Sequence, residues 1–411
     1  MKNFPARAVH SCSSLAGTRK AKGSNFMSAM EKIATYMDHL VRVRHDLHRH
    51  PEIGFEETRT AGIVADLLRG WGYDVHEGIG GTGVVGVLSN GGGRSIGLRA
   101  DMDALPMDEE TDLPFRSVNP GRFHGCGHDG HTTMLLGAAR YLAETRGFHG
   151  TVNVIFQPAE EGLGGARAMI ADGLFDKHPC DEIYAIHNAP HRPKGQVALR
   201  TGATMAAADF FDITLTGQGM HAGMPHMGTD PIVAGAALVQ ALQTIVSRNV
   251  SPVDSAVLSV TQLRAGSAYN VVPDQAVISG TIRTLNEAIR AQAQERLRTI
   301  SEKLAAAFDC TASIDLRDTF SVLDNHADQA TVVAGVAADL VGEGNVNTEM
   351  EPTLGSEDFA DMLKVVPGAY AFVGQDSTGA LHNPSYSFDD EIIPLGAGLM
   401  AEIVARRCGN G

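Results

Sequence analysis

Strand-like and helical stretches alternate along the sequence until about residue 195, and then their order changes. That switch limits the fold more than any other feature. Near the start, apolar Ile33, Met37, Leu40, Val43 and Leu47 recur at helical spacing over residues 31–50, and Pro51 ends the run. Helices are predicted over 61–71 and 131–144, among short β-rich segments at 83–88, 95–102, 151–156 and 182–187. This alternation predicts an α/β fold with a mostly parallel sheet. Past Gly195 come a strand at 210–216, a helix at 230–247, strands at 256–263 and 275–284, a helix at 286–308 and a strand at 312–316. The order β-α-β-β-α-β is the split βαβ, ferredoxin-like pattern. It predicts an α+β unit, residues 199–316, inserted into a domain made of residues 31–198 and 317–411. Helices at 330–341 and 395–405 and a strand at 369–373 resume that first domain.

A chain of 411 residues suits about two domains. Its 46 glycines against one tryptophan point to tight turns and close backbone approaches. The net charge of −15 repels a phosphate backbone, so no nucleic-acid partner is expected. No run of about 18 apolar residues predicts a membrane span. Cys12, Cys126, Cys180, Cys310 and Cys408 are odd in number and far apart, which predicts no disulfide framework and a reducing, cytoplasmic setting. Residues 1–30 carry scattered basic and apolar residues without a continuous apolar core. They read as a disordered extension, or as residues upstream of a later start.

Four polar clusters fall at the ends of predicted strands, where ligands of open α/β sheets bind. Asp101 and Asp103 lie at i, i+2 after the strand at 95–102, and either could bind a metal or orient a ligand. His124-Gly-Cys-Gly-His-Asp-Gly-His131 opens the next helix. Thiolate and imidazole at i, i+2 in a glycine-rich loop can point at one ion, and they suit zinc and its neighbours. Glu160 and Glu161 follow the strand at 151–156, bounded by Pro158 and Gly162. Such a pair can divide into a metal ligand and a group that takes and gives a proton. His187 follows the strand at 182–187, and His221 and His382 stand in glycine- or proline-marked turns. No nucleophile elbow or dinucleotide fingerprint is evident. A nucleophilic Cys126 is a poorer reading than ligation, because metal-type ligands crowd it.

These motifs together resemble the M20 metallopeptidase clan, in its hippurate hydrolase and N-acyl-amino-acid amidohydrolase branch. The matching stretches include Leu47-His-Arg-His-Pro-Glu-Ile-Gly-Phe55, Arg99-Ala-Asp-Met-Asp-Ala-Leu-Pro106, Cys126-Gly-His-Asp-Gly-His131, Gln157 to Gly162, Asn270-Val-Val-Pro-Asp274, Gly280-Thr-Ile-Arg-Thr284, Gly355-Ser-Glu-Asp-Phe359 and Leu381-His-Asn-Pro384. The resemblance implies two divalent ions held by Cys126, His128, Glu161, His187 and His382. Their identity is left open among Mn, Zn, Co and Ni. Glu160 matches the general base, and Asp103 an aspartate that supports a ligand. Asp101 stands where many relatives have a metal-binding histidine, and is not counted as a ligand. His221 is implied in oxyanion stabilisation, Asn270 and Arg283 in substrate contact, and the insert as a lid and dimerisation domain of a homodimer or tetramer. Ala189, His191, Arg192 and Met220 depart from the usual pattern near the acyl pocket and the lid histidine.

The expected reaction is metal-dependent hydrolysis of the amide bond of an N-acyl amino acid. Rival readings are a dipeptidase, carboxypeptidase or N-acetyl-amino-acid deacetylase with the same metals. A non-catalytic metal- or ligand-binding protein is a rival of another class, and the spare base Glu160 argues against it.

Overall fold

The computed structural model describes residues 27–377 and 379–409. Residues 1–26 of the expected extension lie outside that range, and a helix already begins at Ala29. The single helix expected over 31–50 is two, Ala29–Ala34 and Met37–Arg49. Ser28 and Glu31 form a reciprocal capping box at the first. At its end, the Thr35 amide and hydroxyl both donate to the Lys32 carbonyl three residues back, which tightens the last turn and stops the helix.

An eight-stranded sheet runs in the order Asp74–Ile79, Gly83–Asn90, Gly150–Gln157, Arg94–Asp101, Glu182–Ala189, Gly368–Gly374, Val197–Ala198, Val346–Asn347. The four strands from Gly150–Gln157 to Gly368–Gly374 are mutually parallel. Antiparallel neighbours flank them, Gly83–Asn90 on one side and Val197–Ala198 on the other. The strand Asp74–Ile79 was not expected, because its sequence is polar and its side chains are largely exposed. Successive side chains of the central strands feed two cores. Val154, Phe156, Tyr184 and Ile186 pack with Leu40, Leu135 and Leu399 on one face. Ile155, Ile183 and Ala185 pack with Met169, Phe359 and Met362 on the other.

The second unit is a four-stranded antiparallel sheet in the order Ala256–Ala265, Gln275–Thr284, Ala207–Thr216, Thr311–Phe320. Helices Pro231–Thr244 and Glu287–Ala307 contribute Leu238, Leu242, Ala293 and Leu297 to its apolar core. Asp230 and Asn286 start these helices, each carboxylate or amide oxygen accepting from two backbone amides. The last strand runs to Phe320, past the expected end at 316. Among the described residues no helix is long and apolar enough to cross a membrane.

Candidate metal and catalytic site

Because the four central strands are parallel, their carboxyl ends lie along one edge of the sheet. Asp101 and Asp103 end one strand, Glu160 and Glu161 follow the next, and His187 sits near the end of a third. Cys126 and His128 join them from the start of helix His128–Thr145. Gly127 between them has φ +92, and a Cβ there would lie 2.6 Å from both Asn188 Oδ1 and Tyr386 Oη. Only glycine suits that backbone, which lets the two side chains converge. Gly130 is equally constrained, since a Cβ would lie 2.2 Å from the Phe388 ring.

Of the trios of donor atoms that result, two share Cys126. Cys126, His128 and His187 have donors within 4.8 Å of one another, and so do Cys126, Glu161 and His382; Cys126 belongs to both. The outer nitrogens of two histidines are tied back. Nδ1 of His187 donates to the Asn188 carbonyl at 2.7 Å, which leaves Nε2 facing Cys126 Sγ at 3.5 Å. His128 Nδ1 faces Asp103 Oδ1 at 3.1 Å, and the other oxygen of Asp103 accepts the Glu161 amide at 3.0 Å. A carboxylate behind an imidazole is how metal-binding histidines are oriented. The buried His128 Nε2 and Glu161 Oε1 face each other across 3.9 Å and neither makes a well-formed hydrogen bond, although His382 Nε2 lies 3.3 Å from the same Glu161 oxygen. Buried polar atoms of that kind are costly, and a cation between them would satisfy both. The donor set therefore fits a borderline-soft divalent ion.

The electrostatics divide the donors, since a ligating cysteine must lose its proton and a ligating histidine must be neutral. Burial and the neighbouring Glu161 push the Cys126 thiol up. Burial and His131 hold His187 well below its usual value, so it is a neutral imidazole. Contacts with Cys126 and Glu161 hold His382 at about 10. Glu160 is buried, and burial followed by the Glu357 carboxylate drives its proton affinity far above the ordinary carboxylate range. Both oxygens of Asp101 are engaged, one by Arg99 at 2.8 Å and one by His131 at 2.6 Å.

Sequence reasoning assigned no role to Glu357 and Asp358, although their motif was visible. Glu160, Glu357 and Asp358 have oxygens within 4.8 Å of one another, and the Asp358 amide donates to Glu160 at 3.4 Å. Fully buried Arg99 balances this acidic group, donating to Asp101, Glu357, Asp358 and Gln157.

A cavity of about 620 Å³ opens beside these groups, lined by Glu160, Glu161 and His382 on one side and by Phe210, Arg283 and Ser356 on the other. Arg283 donates to the Ser356 and Thr281 hydroxyls at 2.7 and 3.2 Å and lies over the Phe210 ring. A second cavity, about 440 Å³, is lined by Ala189, Met350, Phe372 and Leu381 together with His191, Arg192 and Glu351. His221 and Asn270 line neither. His221 is exposed on the two-residue strand Met220–His221, laddered with Val271–Val272, and the Asn270 carbonyl accepts the Ala222 amide there.

This arrangement defines a hydrolase site at the carboxyl edge of a parallel sheet. The chain belongs to peptidase family M20/M25/M40, whose model matches residues 97–406. It is 42% identical over 381 residues to a hippurate hydrolase of Campylobacter jejuni, covering 92% of this chain and 99% of that one. It is 38% identical to an N-acetyl-L-cysteine deacetylase of Bacillus subtilis, covering 88% and 86%. A solved Bacillus subtilis structure, described as a dinuclear metal-binding peptidase of the M20 family, superimposes with a TM-score of 0.80 at 31% identity, covering 91% and 99%. The family indicated by the motifs is thus the one found, and the chain is an amide-bond hydrolase.

Proposed function

We propose that this enzyme hydrolyses N-acyl amino acids of the hippurate type, with two divalent cations held by Cys126, His128, Glu161, His187 and His382. The observation that carries the reading is the pair of donor trios sharing Cys126, with the buried carboxyl of Glu160 beside them. The 42% identity to a hippurate hydrolase supports the substrate class.

When bound, such cations polarise a carbonyl and lower the pKa of water from 15.7 towards about 7. The remaining work falls to the chain. Glu160 takes the proton of the attacking water as the C–O bond forms, and returns it to the nitrogen as the C–N bond breaks. The products are a carboxylic acid and an amino acid. Asp103 keeps His128 aimed and fixes the Glu161 backbone. Arg283, held by hydroxyls and not by a carboxylate, is free to take the substrate's carboxylate across the cavity. The apolar part of the second cavity, Ala189, Met350, Phe372 and Leu381, suits an acyl group, with His191 and Arg192 at the same wall.

His221 is assigned to oxyanion stabilisation and Asn270 to substrate contact. Neither lines the two cavities beside the donor groups, so each serves the reaction only after the insert moves or from a second copy. A homodimer through the insert would supply the second copy. A single-chain mass in light scattering would remove that route. The described cysteines are all unpaired, which suits a reducing cytoplasm.

The test is N-benzoylglycine with metal-loaded protein, against chelated protein as control. Metal-dependent release of glycine is expected. No release, with turnover of N-acetyl amino acids or dipeptides instead, would replace the substrate class and keep the metal site.

A further inference from the structure

The stretch Leu47 to Phe55 and the acids after it belong to no step of the proposed reaction, yet they pack directly behind the turn that carries Glu160 and Glu161. Ala159, the residue before Glu160, is fully buried and has φ +54. Residues with a Cβ seldom adopt that left-handed conformation, so the surroundings must hold it.

Three contacts do so. The Ala159 amide donates to Glu57 Oε1 at 2.8 Å. The Ala159 carbonyl accepts the Gly165 amide at 3.0 Å. Gly54 lies flat against it, where a Cβ would sit 2.9 Å from both Ala159 Cα and Cβ. Glu57 is also the residue that caps helix Thr58–Gly70, but its side chain makes no capping bond there. Its second oxygen takes the Thr82 hydroxyl, so the whole carboxyl is directed away from its own helix. Glu52 caps that helix instead, accepting the Arg59 and Thr60 amides at 3.0 and 2.8 Å, which leaves the buried Glu57 carboxyl to reach the distant strained backbone.

We propose that Glu57 is a positioning residue that locks Ala159 in its left-handed conformation and thereby aims Glu160 at the reacting water and Glu161 at the cations. The inference rests on the reading of Glu160 as the base. Rotating the Ala159 backbone to a common conformation would swing the Cα–Cβ bonds of both glutamates, and small misplacements of catalytic groups cost rate steeply.

The experiment is a double-mutant cycle between Glu57 and Ala159, read as kcat and KM separately with metal content measured in each protein. Glu57→Ala is expected to lower kcat at least ten-fold with little change in KM. Glu57→Gln keeps an oxygen for the Ala159 amide and an amide for Thr82, and is expected to recover at least a third of kcat. Glycine reaches positive φ without penalty, so Glu57→Ala should cost less than three-fold in an Ala159→Gly background. Losses that simply multiply, or a Glu57→Ala enzyme with wild-type kcat, overturn the proposal. If Glu57→Ala does not fold, the outcome rests on Glu57→Gln, and a loss equal to removal of the base overturns it. Glu160→Gln in the same assay separates the two readings. An active Glu160→Gln enzyme removes the base itself, whereas an inactive one beside an unaffected Glu57→Ala removes only the positioning role.

Discussion

Neutralising Glu57 should change how stability depends on pH, and the size of the change follows from its surroundings. Burial, with the Asp103 carboxylate nearby, pushes the Glu57 carboxyl from an ordinary 4.5 up to about 7, against the hydrogen bonds from Thr82 and Ala159. The folded chain therefore keeps this proton to higher pH than the unfolded chain does. The group favours folding most below about 4.5, loses that advantage progressively as pH rises towards about 7, and is flat above. At about 1.4 kcal/mol per pH unit, the loss is about 3 kcal/mol. Glu57→Gln has no proton to lose, so its stability relative to wild type should rise by that amount across the window. For a chain of 411 residues, at about 2.1 cal/mol/K per residue, this is a relative gain of about 4 °C in Tm. The assay is thermal unfolding of both proteins from pH 4.5 to 8 after chelation, because bound cations near Asp103 would draw the carboxyl back down. A difference that stays flat, or shrinks as pH rises, refutes the reasoning.

Glu160→Gln should cost about 10²–10⁴-fold in kcat while metal content by mass spectrometry is unchanged; near-normal turnover would end its role as base. As a ligand, Cys126 should be alkylated slowly in the metal-loaded enzyme and faster after chelation, followed by mass shift; equal rates would exclude it as a ligand. Arg283→Ala should raise KM chiefly for substrates with a free carboxylate. An equal effect on the corresponding uncharged amide would show that the guanidinium acts elsewhere.

What was legible in the sequence divides along a physical line. The alternation of strands and helices, and its switch after Gly195, are local periodicities, and both sheets follow from them. Asp230 and Asn286 start their helices as their chemistry dictates. The cluster around Cys126 was readable because its donors are close in sequence and have little use in packing. By contrast, the polar strand Asp74–Ile79 carries no apolar alternation, and exists because Gly83–Asn90 offers it an edge. His221 and Asn270 were assigned to the site by resemblance, and nothing in local sequence says that they are displayed on an exposed ladder apart from the cavity.

The least legible layer is the one that supports the site. Arg99 read as part of a strand-end motif, but it is the buried cation that keeps Asp101, Glu357 and Asp358 together. Those acids come from segments more than 250 residues apart in sequence numbering, as the Arg99–Glu357 separation of 258 illustrates. The glycines follow the same rule. Nothing in the local sequence singles out Gly54 and Gly165 as places where other backbone presses in, yet a Cβ at Gly165 would lie 1.6 Å from the Pro158 carbonyl oxygen. A side chain's chemistry can be read where it stands, but its missing Cβ matters only to whatever the fold later presses against it. The proposed ligand residues could therefore be picked out in the sequence, whereas the stacked backbones of Gly54, Ala159 and Gly165 behind them appear only once the chain is folded.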